Sequence, residues 1–126
     1  MLKDNLFVGV GIGSASFNEE FAKYAESGAE WAPHSHNLFL ELACEGGIFL
    51  ALIFVFLLLV RLRHIASYKP YIKGSSLTSP ITMTGLAIFS LVSFGCTDYI
   101  FYDSSMFFLF WVVFGIGSAT LRISKR

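Results

Sequence analysis

Three long apolar stretches, separated by short polar segments, dominate the chain after residue 37. The first covers residues 38–60 and, at about 1.5 Å per residue, would form a helix of roughly 34 Å, long enough to cross the hydrocarbon core of a bilayer. The second covers residues 81–97 and the third residues 104–121. We predict a transmembrane helix over each stretch. The connecting segments are then a loop over residues 61–80, a turn over residues 98–103 and a tail over residues 122–126.

Residues 1–37 contain no apolar run of this length, and we predict that they form an aqueous loop. Between Val8 and Gly13 glycine alternates with branched residues, which favours a tight, non-helical backbone. This segment is a packing turn, or the amides near Gly11 and Gly13 contact an anion such as a phosphate. Residues 16–31 have apolar residues at helical spacing, which predicts a short amphipathic helix capped by Ser16 or Asn18 and ended by Gly28.

The composition supports a membrane protein. Of 126 residues, 55% are hydrophobic and 14% are charged, with a mean hydropathy of +0.65. We therefore predict an all-α fold: a fragment of a polytopic membrane protein with three transmembrane helices and an outer loop that carries a short amphipathic helix. The net charge is zero and no basic cluster contains interleaved aromatic residues, so nucleic acid is not expected as a partner.

Acidic and basic residues lie on opposite sides of the predicted spans. Of the nine basic residues, the following lie in the 61–80 loop region and the C-terminal tail: Arg61, Arg63, Lys69, Lys73, Arg122, Lys125 and Arg126. All nine acidic residues lie in the opposite segments or at the spans' opposite ends. The positive-inside tendency places the basic side and the C-terminus in the cytoplasm, and residues 1–37 outside.

The candidate chemistry lies where the outer loop meets the first span. His34, His36 and Asn37 precede this span, and Glu41 and Glu45 follow on one face of its first turns. A histidine held by a carboxylate is a plausible general base, because its ordinary pKa of about 6.5 is close to physiological pH. The alternative is structural, with Asn37 as a helix cap and the carboxylates paired with histidine or with basic groups outside this chain.

Two further possibilities concern metal binding and the outer turn. The two histidines, two positions apart on an extended segment, could bind a metal, with a third ligand from Glu41, Glu45, Asp98 or Asp103, although the spacing selects none of them. Asp98 and Asp103 are explained by helix capping and solvation, or else they bind sugar hydroxyls or orient His36. Both cysteines, Cys44 and Cys96, fall in apolar segments and are predicted to be small buried residues rather than a disulfide.

Two motifs precede and begin the first predicted span: Val8-Gly9-Val10-Gly11-x-Gly13 and His34-x-His36-Asn37-x-x-Leu40-Glu41-x-x-x-Glu45-Gly46-Gly47. Together they resemble the outer loop and following helix of the O-antigen ligase and O-antigen polymerase superfamily, which are polytopic bacterial membrane glycosyltransferases. The acidic outer turn and a last span with Phe110-Trp111 and Gly115 are similar to the C-terminal end of such proteins. The likeness covers most of this chain but only the C-terminal part of a typical member.

The resemblance implies that a glycan carried on undecaprenyl diphosphate is transferred, outside the bacterial cytoplasmic membrane, to a glycan or lipid acceptor, with no cofactor and no obligatory metal. It implies that His36 is the catalytic residue, which activates the acceptor hydroxyl. The residues proposed to bind substrate are His34, Asn37, Glu41, Glu45, Gly11, Gly13, Asp98 and Asp103.

Two departures from the family pattern matter. The ligase motif has His-Asn, nine residues, Gly, two residues and Gly; here Leu50 stands at the last position, so ligase and polymerase both stay open. No arginine occurs in residues 1–60 to match the family's diphosphate-binding arginines, so we expect these in further spans of the same protein. The alternatives are a fragment of a non-enzymatic transporter or flippase, whose polar stripe would line a permeation path, and an inactive truncated gene product.

Overall fold

A computed structural model describes residues 1–28, 31–67 and 79–124. Helices make up 69% of the residues that the structure describes, and these residues contain no strand, so the predicted all-α class is confirmed. The elements are α1 (Ser14–Phe21), α2 (Leu38–Ala66), α3 (Pro80–Gly95), a single 3-10 turn (Ile100–Tyr102) and α4 (Ser104–Ser124).

Helix α2 begins where predicted and ends later than predicted. Its first amides at Phe39 and Leu40 donate to the side-chain oxygen of Asn37, which is a typical N-cap arrangement. The helix continues past Val60 to Ala66, so the first part of the predicted 61–80 loop is helical instead. Arginine is a good helix former, and Arg61 is buried rather than in the solvent of a loop. The rest of the predicted 61–80 loop, over residues 68–78, lies outside the described residues.

Gly47 interrupts α2 with a non-helical backbone, at φ 75° and ψ 176°. The N-terminal segment takes over the hydrogen bonds that the interruption releases. Val10 N donates to Cys44 O at 2.8 Å, and Ile48 N donates to Leu6 O at 2.7 Å. A side chain on Gly47 would collide with the backbone of Phe7, so only glycine allows this close approach.

Helix α1 is shorter than predicted and starts earlier. It spans eight residues, Ser14–Phe21, with Gly13 at the N-cap position and no side-chain cap. Neither Ser16 nor Asn18 caps it, because both lie within the helix; the Asn18 side chain instead accepts a hydrogen bond from Ala32 N. The chain after Phe21 forms turns, and Gly28 lies in one of them at φ 94°.

Helices α2, α3 and α4 pack side by side, with α3 antiparallel to the other two. Gly85 of α3 contacts Ile65 near the end of α2, while Gly95 contacts Leu38 at its start. These two glycines therefore allow the close helix contacts that small residues favour. Phe110 of α4 packs on Phe54 of α2. The core between the helices consists of Leu38, Leu42, Ala43, Ala51, Phe54, Leu58, Ile88, Ile100 and Phe110.

Two of the described helices, α2 and α4, are long and apolar enough to cross a membrane. Helix α3 is apolar but has only 16 residues, or about 24 Å. It begins at Pro80 and ends at Gly95 rather than at residue 97, so it is shorter than the span predicted there. Two candidate spans are thus found, and the third remains a prediction.

The packing separates the charges into two ends. We call the end with His34, His36 and Asp98 the histidine end, and the end with Arg61 and Arg122 the basic end. Because α2 and α4 are parallel, the last turns of both lie at the basic end. The segregation inferred from the sequence is therefore also a spatial one within the described residues.

Candidate histidine site

Local hydrogen bonds hold the loop that carries the two histidines. Asn37 caps α2 with its side-chain oxygen and donates from Nδ2 to Cys96 O at 2.9 Å, which joins the start of α2 to the end of α3. Ser35 Oγ donates to Asn37 O at 3.1 Å. His36 has a left-handed backbone, at φ 53°. The segment is therefore not extended as predicted, but it still brings both imidazoles together.

His34, His36 and Asp98 form one group, which we call the histidine cluster. The two ring centroids lie 4.4 Å apart. Asp98 Oδ1 lies 3.2 Å from His36 Nδ1 and 3.7 Å from His34 Nδ1. His34 Nδ1 also accepts the backbone N–H of His36 at 3.3 Å, so neutral His34 has its proton on Nε2. Of the four acidic residues predicted as candidate third metal ligands, Asp98 is the one whose carboxylate lies within 4 Å of both imidazoles.

The two histidines differ in exposure. His34 is buried against the rings of Tyr99 and Tyr102, whereas 67% of the His36 side chain is exposed. Burial, together with the neighbouring His36, lowers the pKa of His34 from its ordinary value. The hydrogen bond from Tyr99 N lowers the pKa of Asp98, and the hydrogen bond from His36 lowers it further by a smaller amount. Asp98 therefore remains an anion, and His36 is the histidine that a substrate could reach.

Glu41 and Glu45 are buried at the start of α2, and both contact the preceding loop. Glu41 Oε2 accepts Ser35 N at 2.6 Å. Glu45 Oε1 accepts Gly13 N at 2.8 Å, and Glu45 Oε2 accepts the Tyr99 hydroxyl at 3.1 Å. Burial and the Glu45 charge raise the pKa of Tyr99, so its hydroxyl stays a donor.

The glycine-rich segment donates hydrogen bonds to Glu45 of α2. The amide of Gly13 donates to the carboxylate of Glu45, and that of Gly11 donates to Glu45 O at 3.0 Å. Both amides proposed for ligand contact are therefore already hydrogen-bonded. Asp103 caps α4, because its Oδ1 accepts Ser105 N at 2.7 Å and Met106 N at 3.2 Å.

An apolar cavity of about 600 Å³ lies between α2 and α4. Glu45, Tyr99 and Gly13 lie at its polar end, and Leu57 and Trp111 lie farther along it. Tyr102 lines the cavity and contacts His34 through its ring, with centroids 4.8 Å apart. Sequence reasoning missed Tyr99 and Tyr102. The sequence signal that could have indicated these tyrosines is their position between Asp98 and Asp103, in a turn rich in aromatic residues.

The histidine cluster also has the composition of a metal site. One ligand atom from each of His34, His36 and Asp98 lies within 4.8 Å of the others. Two imidazoles and a carboxylate suit zinc, with a fourth position left for water.

Comparison of the chain with protein-family models, curated proteins and solved structures finds no match.

Proposed function

We propose that this protein is part of a bacterial membrane glycosyltransferase, which transfers a glycan from a polyprenyl diphosphate carrier to an acceptor at the outer face of the cytoplasmic membrane. The observation that carries the proposal is the exposed His36, paired with Asp98 in a cluster whose other histidine, His34, contacts Tyr102 in the wall of an apolar cavity. The resemblance of the loop and α2 to the O-antigen ligase and polymerase superfamily supplies the substrate class.

Two properties support membrane placement. Helices α2 and α4 have spanning length, and only 33% and 17% of the residues in their most apolar windows are buried. A core helix of a water-soluble protein would be mostly buried, whereas lipid can cover the exposed apolar faces here. The charge segregation favours an orientation with the histidine end outside and the C-terminus in the cytoplasm.

His36 has the geometry of a general base. Its Nδ1–H donates to the Asp98 carboxylate, which fixes the ring and leaves Nε2 as the proton acceptor. In the proposed step, the acceptor hydroxyl oxygen forms a bond to the anomeric carbon of the donor. The bond from that carbon to the phosphate oxygen breaks, and the electron pair leaves with the diphosphate. The hydroxyl proton moves to His36 Nε2, and Asp98 stabilises the resulting imidazolium.

The remaining residues have supporting roles. Asn37 and Glu41 hold the loop, and Glu45 and Tyr99 form the polar end of the cavity. The cavity volume is within the range of small-molecule sites, roughly 300–1,000 Å³, and its apolar walls suit a polyprenyl segment. Arginine or lysine for the diphosphate is proposed to come from further spans outside this chain.

The test is made in the native host. His36→Asn and Asp98→Asn are compared with Glu19→Gln, an exposed change on α1, at matched membrane abundance. We expect both site variants to lose long or ligated surface glycan and to accumulate the lipid-linked precursor, while Glu19→Gln resembles wild type. Normal glycan in His36→Asn contradicts the proposal and favours a packing role for the loop.

Two further arms separate the alternatives. If the protein is instead a transporter or flippase, the inactive site variants leave the lipid-linked precursor on the cytoplasmic side, where an extracellular glycan-specific lectin cannot reach it. A zinc enzyme would lose transfer activity in membranes treated with a chelator and regain it with added zinc, whereas the proposed metal-free step is unaffected by chelation.

A further inference from the structure

Arg61 lies at the basic end and is almost completely buried, with 3% of its surface exposed. Its Nη2 donates to Thr84 Oγ1 of α3 at 3.3 Å, and its guanidinium carbon lies 5.9 Å from the ring centroid of Phe114 of α4. A side chain at Gly117 would collide with the guanidinium, so this glycine provides the space that Arg61 occupies. The arginine thus lies between all three long helices.

Two of the Arg61 nitrogens, Nε and Nη1, are buried and have no hydrogen-bond partner within the described residues. A buried guanidinium without a counter-charge is costly, because its desolvation is not offset by pairing. The sequence contains no aspartate or glutamate in residues 46–97 or 104–126. No acidic side chain on this part of the chain can therefore neutralise Arg61, which leaves its guanidinium available to a bound anion.

A cavity of about 390 Å³ lies beside Arg61 between α2 and α4. Its polar residues include three with basic side chains, Arg61, His64 and Arg122, the last two of which are exposed. Its apolar wall includes Leu57, Phe114 and Leu121. Leu57 precedes Arg61 by about one helical turn, so this part of the wall lies deeper along α2 than the arginine. The cavity is therefore complementary to an amphiphile with an anionic head group, because its basic residues would face the head and its apolar wall would face the tail.

We propose that this cavity binds the phosphate of an anionic phospholipid. The unpartnered nitrogens of Arg61 and the side chain of Arg122 would bind the phosphate oxygens, since the planar guanidinium matches phosphate geometry. The first part of an acyl chain would lie along Leu57 and Phe114. Basic pockets between helices on the cytoplasmic side of a membrane recognise lipid headgroups in this way. The site is at the opposite end from the histidine cluster and does not depend on the proposed transfer reaction.

The experiment measures lipid retention by the purified protein in neutral detergent, using native mass spectrometry with added phosphatidylglycerol or phosphatidylcholine. We expect preferential retention of phosphatidylglycerol by wild type, and an affinity about fivefold lower for each of Arg61→Gln and Arg122→Gln, as is typical for one basic residue at an anionic lipid surface. Arg122 is exposed, so its variant is informative even if Arg61→Gln does not fold.

The matched control is Arg63→Gln, which removes an exposed arginine of α2 that does not line the cavity. It should keep the preference for phosphatidylglycerol. Inorganic phosphate, added at the same ionic strength as a chloride control, should displace the lipid only weakly, because it lacks an acyl chain. Full displacement by phosphate would identify a free-anion site and overturn the lipid assignment. Equal retention of the two lipids, or equal losses in Arg63→Gln and Arg122→Gln, would also overturn it.

Discussion

His36 Nδ1 lies 3.2 Å from Asp98 Oδ1, although the two residues are 62 positions apart in the chain. The contact depends on the start of α2 and the end of α3 lying side by side. Asn37, the neighbour of His36, donates to the carbonyl of Cys96, close to Asp98. The geometry of the candidate base is therefore tied to the packing of these two helix ends.

Replacement of Asn37 by alanine removes both the helix cap and the bond to Cys96 O. We expect the free energy of unfolding to fall by about 1–2 kcal/mol, of which the cap contributes about 1 kcal/mol. Asn37→Ser keeps a capping oxygen and should lose only the smaller part. The free energy of unfolding of each variant is measured by denaturant titration in mild detergent, monitored by circular dichroism. Equal stability of wild type and Asn37→Ala would show that the cap is not formed.

Gly47 should not tolerate a side chain. Gly47→Ala has to place alanine at φ 75° and move the backbone of Phe7, so we expect a loss of about 2 kcal/mol or more in the same unfolding assay. Gly115→Ala is the control, because its side chain meets no atom within 4 Å, and helix propensity favours alanine by up to about 1 kcal/mol. Similar effects of the two substitutions would contradict the described break in α2.

Helix capping depends on neighbouring residues in the chain, so the sequence predicted the starts of α2 and α4 well. Asn37 before Leu38 and Asp103 before Ser104 mark the starts of α2 and α4, and both side chains accept amides of the first turn. The end of α2 was predicted less well. The apolar run stops at Val60, but helix propensity continues through Arg61, and burial of that arginine depends on α3 and α4.

The features that pair distant segments were not predictable from spacing. The break at Gly47 exists because residues near Leu6 and Val10 insert their backbone beside α2. The sequence also offered four acidic candidates to accompany the histidines, and only the packing of α3 against α2 selects Asp98. The hydrogen bond from Gly13 N to Glu45 likewise depends on the packing of the N-terminal segment against α2.

The pH dependence of stability should reveal His34. Its pKa is lowered from 6.5 in the folded protein, so the unfolded chain binds the proton first as pH falls. The contribution of His34 to stability is therefore complete above about pH 6.5 and decreases as pH falls from there towards the folded-state pKa. The neighbouring Asp98, whose pKa is lowered from 3.8, adds a further loss only at more acidic pH. His34→Gln should remove the first of these slopes in thermal unfolding, whereas His64→Gln, at the exposed basic end, should keep it.

The hydroxyl of Tyr99 should matter to the fold, and that of Tyr102 should not. Tyr99→Phe removes the donor to Glu45 Oε2, and we expect a loss of about 1–2 kcal/mol in the free energy of unfolding, because this carboxylate is buried. Tyr102→Phe keeps the ring contact with His34 and serves as the control. If Tyr99→Phe leaves the free energy of unfolding unchanged, the hydrogen bond from Gly13 N alone is sufficient for the buried Glu45 carboxylate.

The most direct test of the proposed base is chemical rescue of His36→Gly. Glycine suits the left-handed backbone at this position, and the exposed site leaves room for free imidazole. Glycan transfer from the lipid-linked donor is measured in membrane vesicles with and without imidazole, with Glu19→Gln as the control variant. We expect His36→Gly to lose at least about a hundredfold in transfer rate, as is typical for removal of a general base, and imidazole to restore part of it. Unchanged transfer in His36→Gly, or a loss that imidazole does not relieve in correctly folded protein, would contradict the role of His36 as the base.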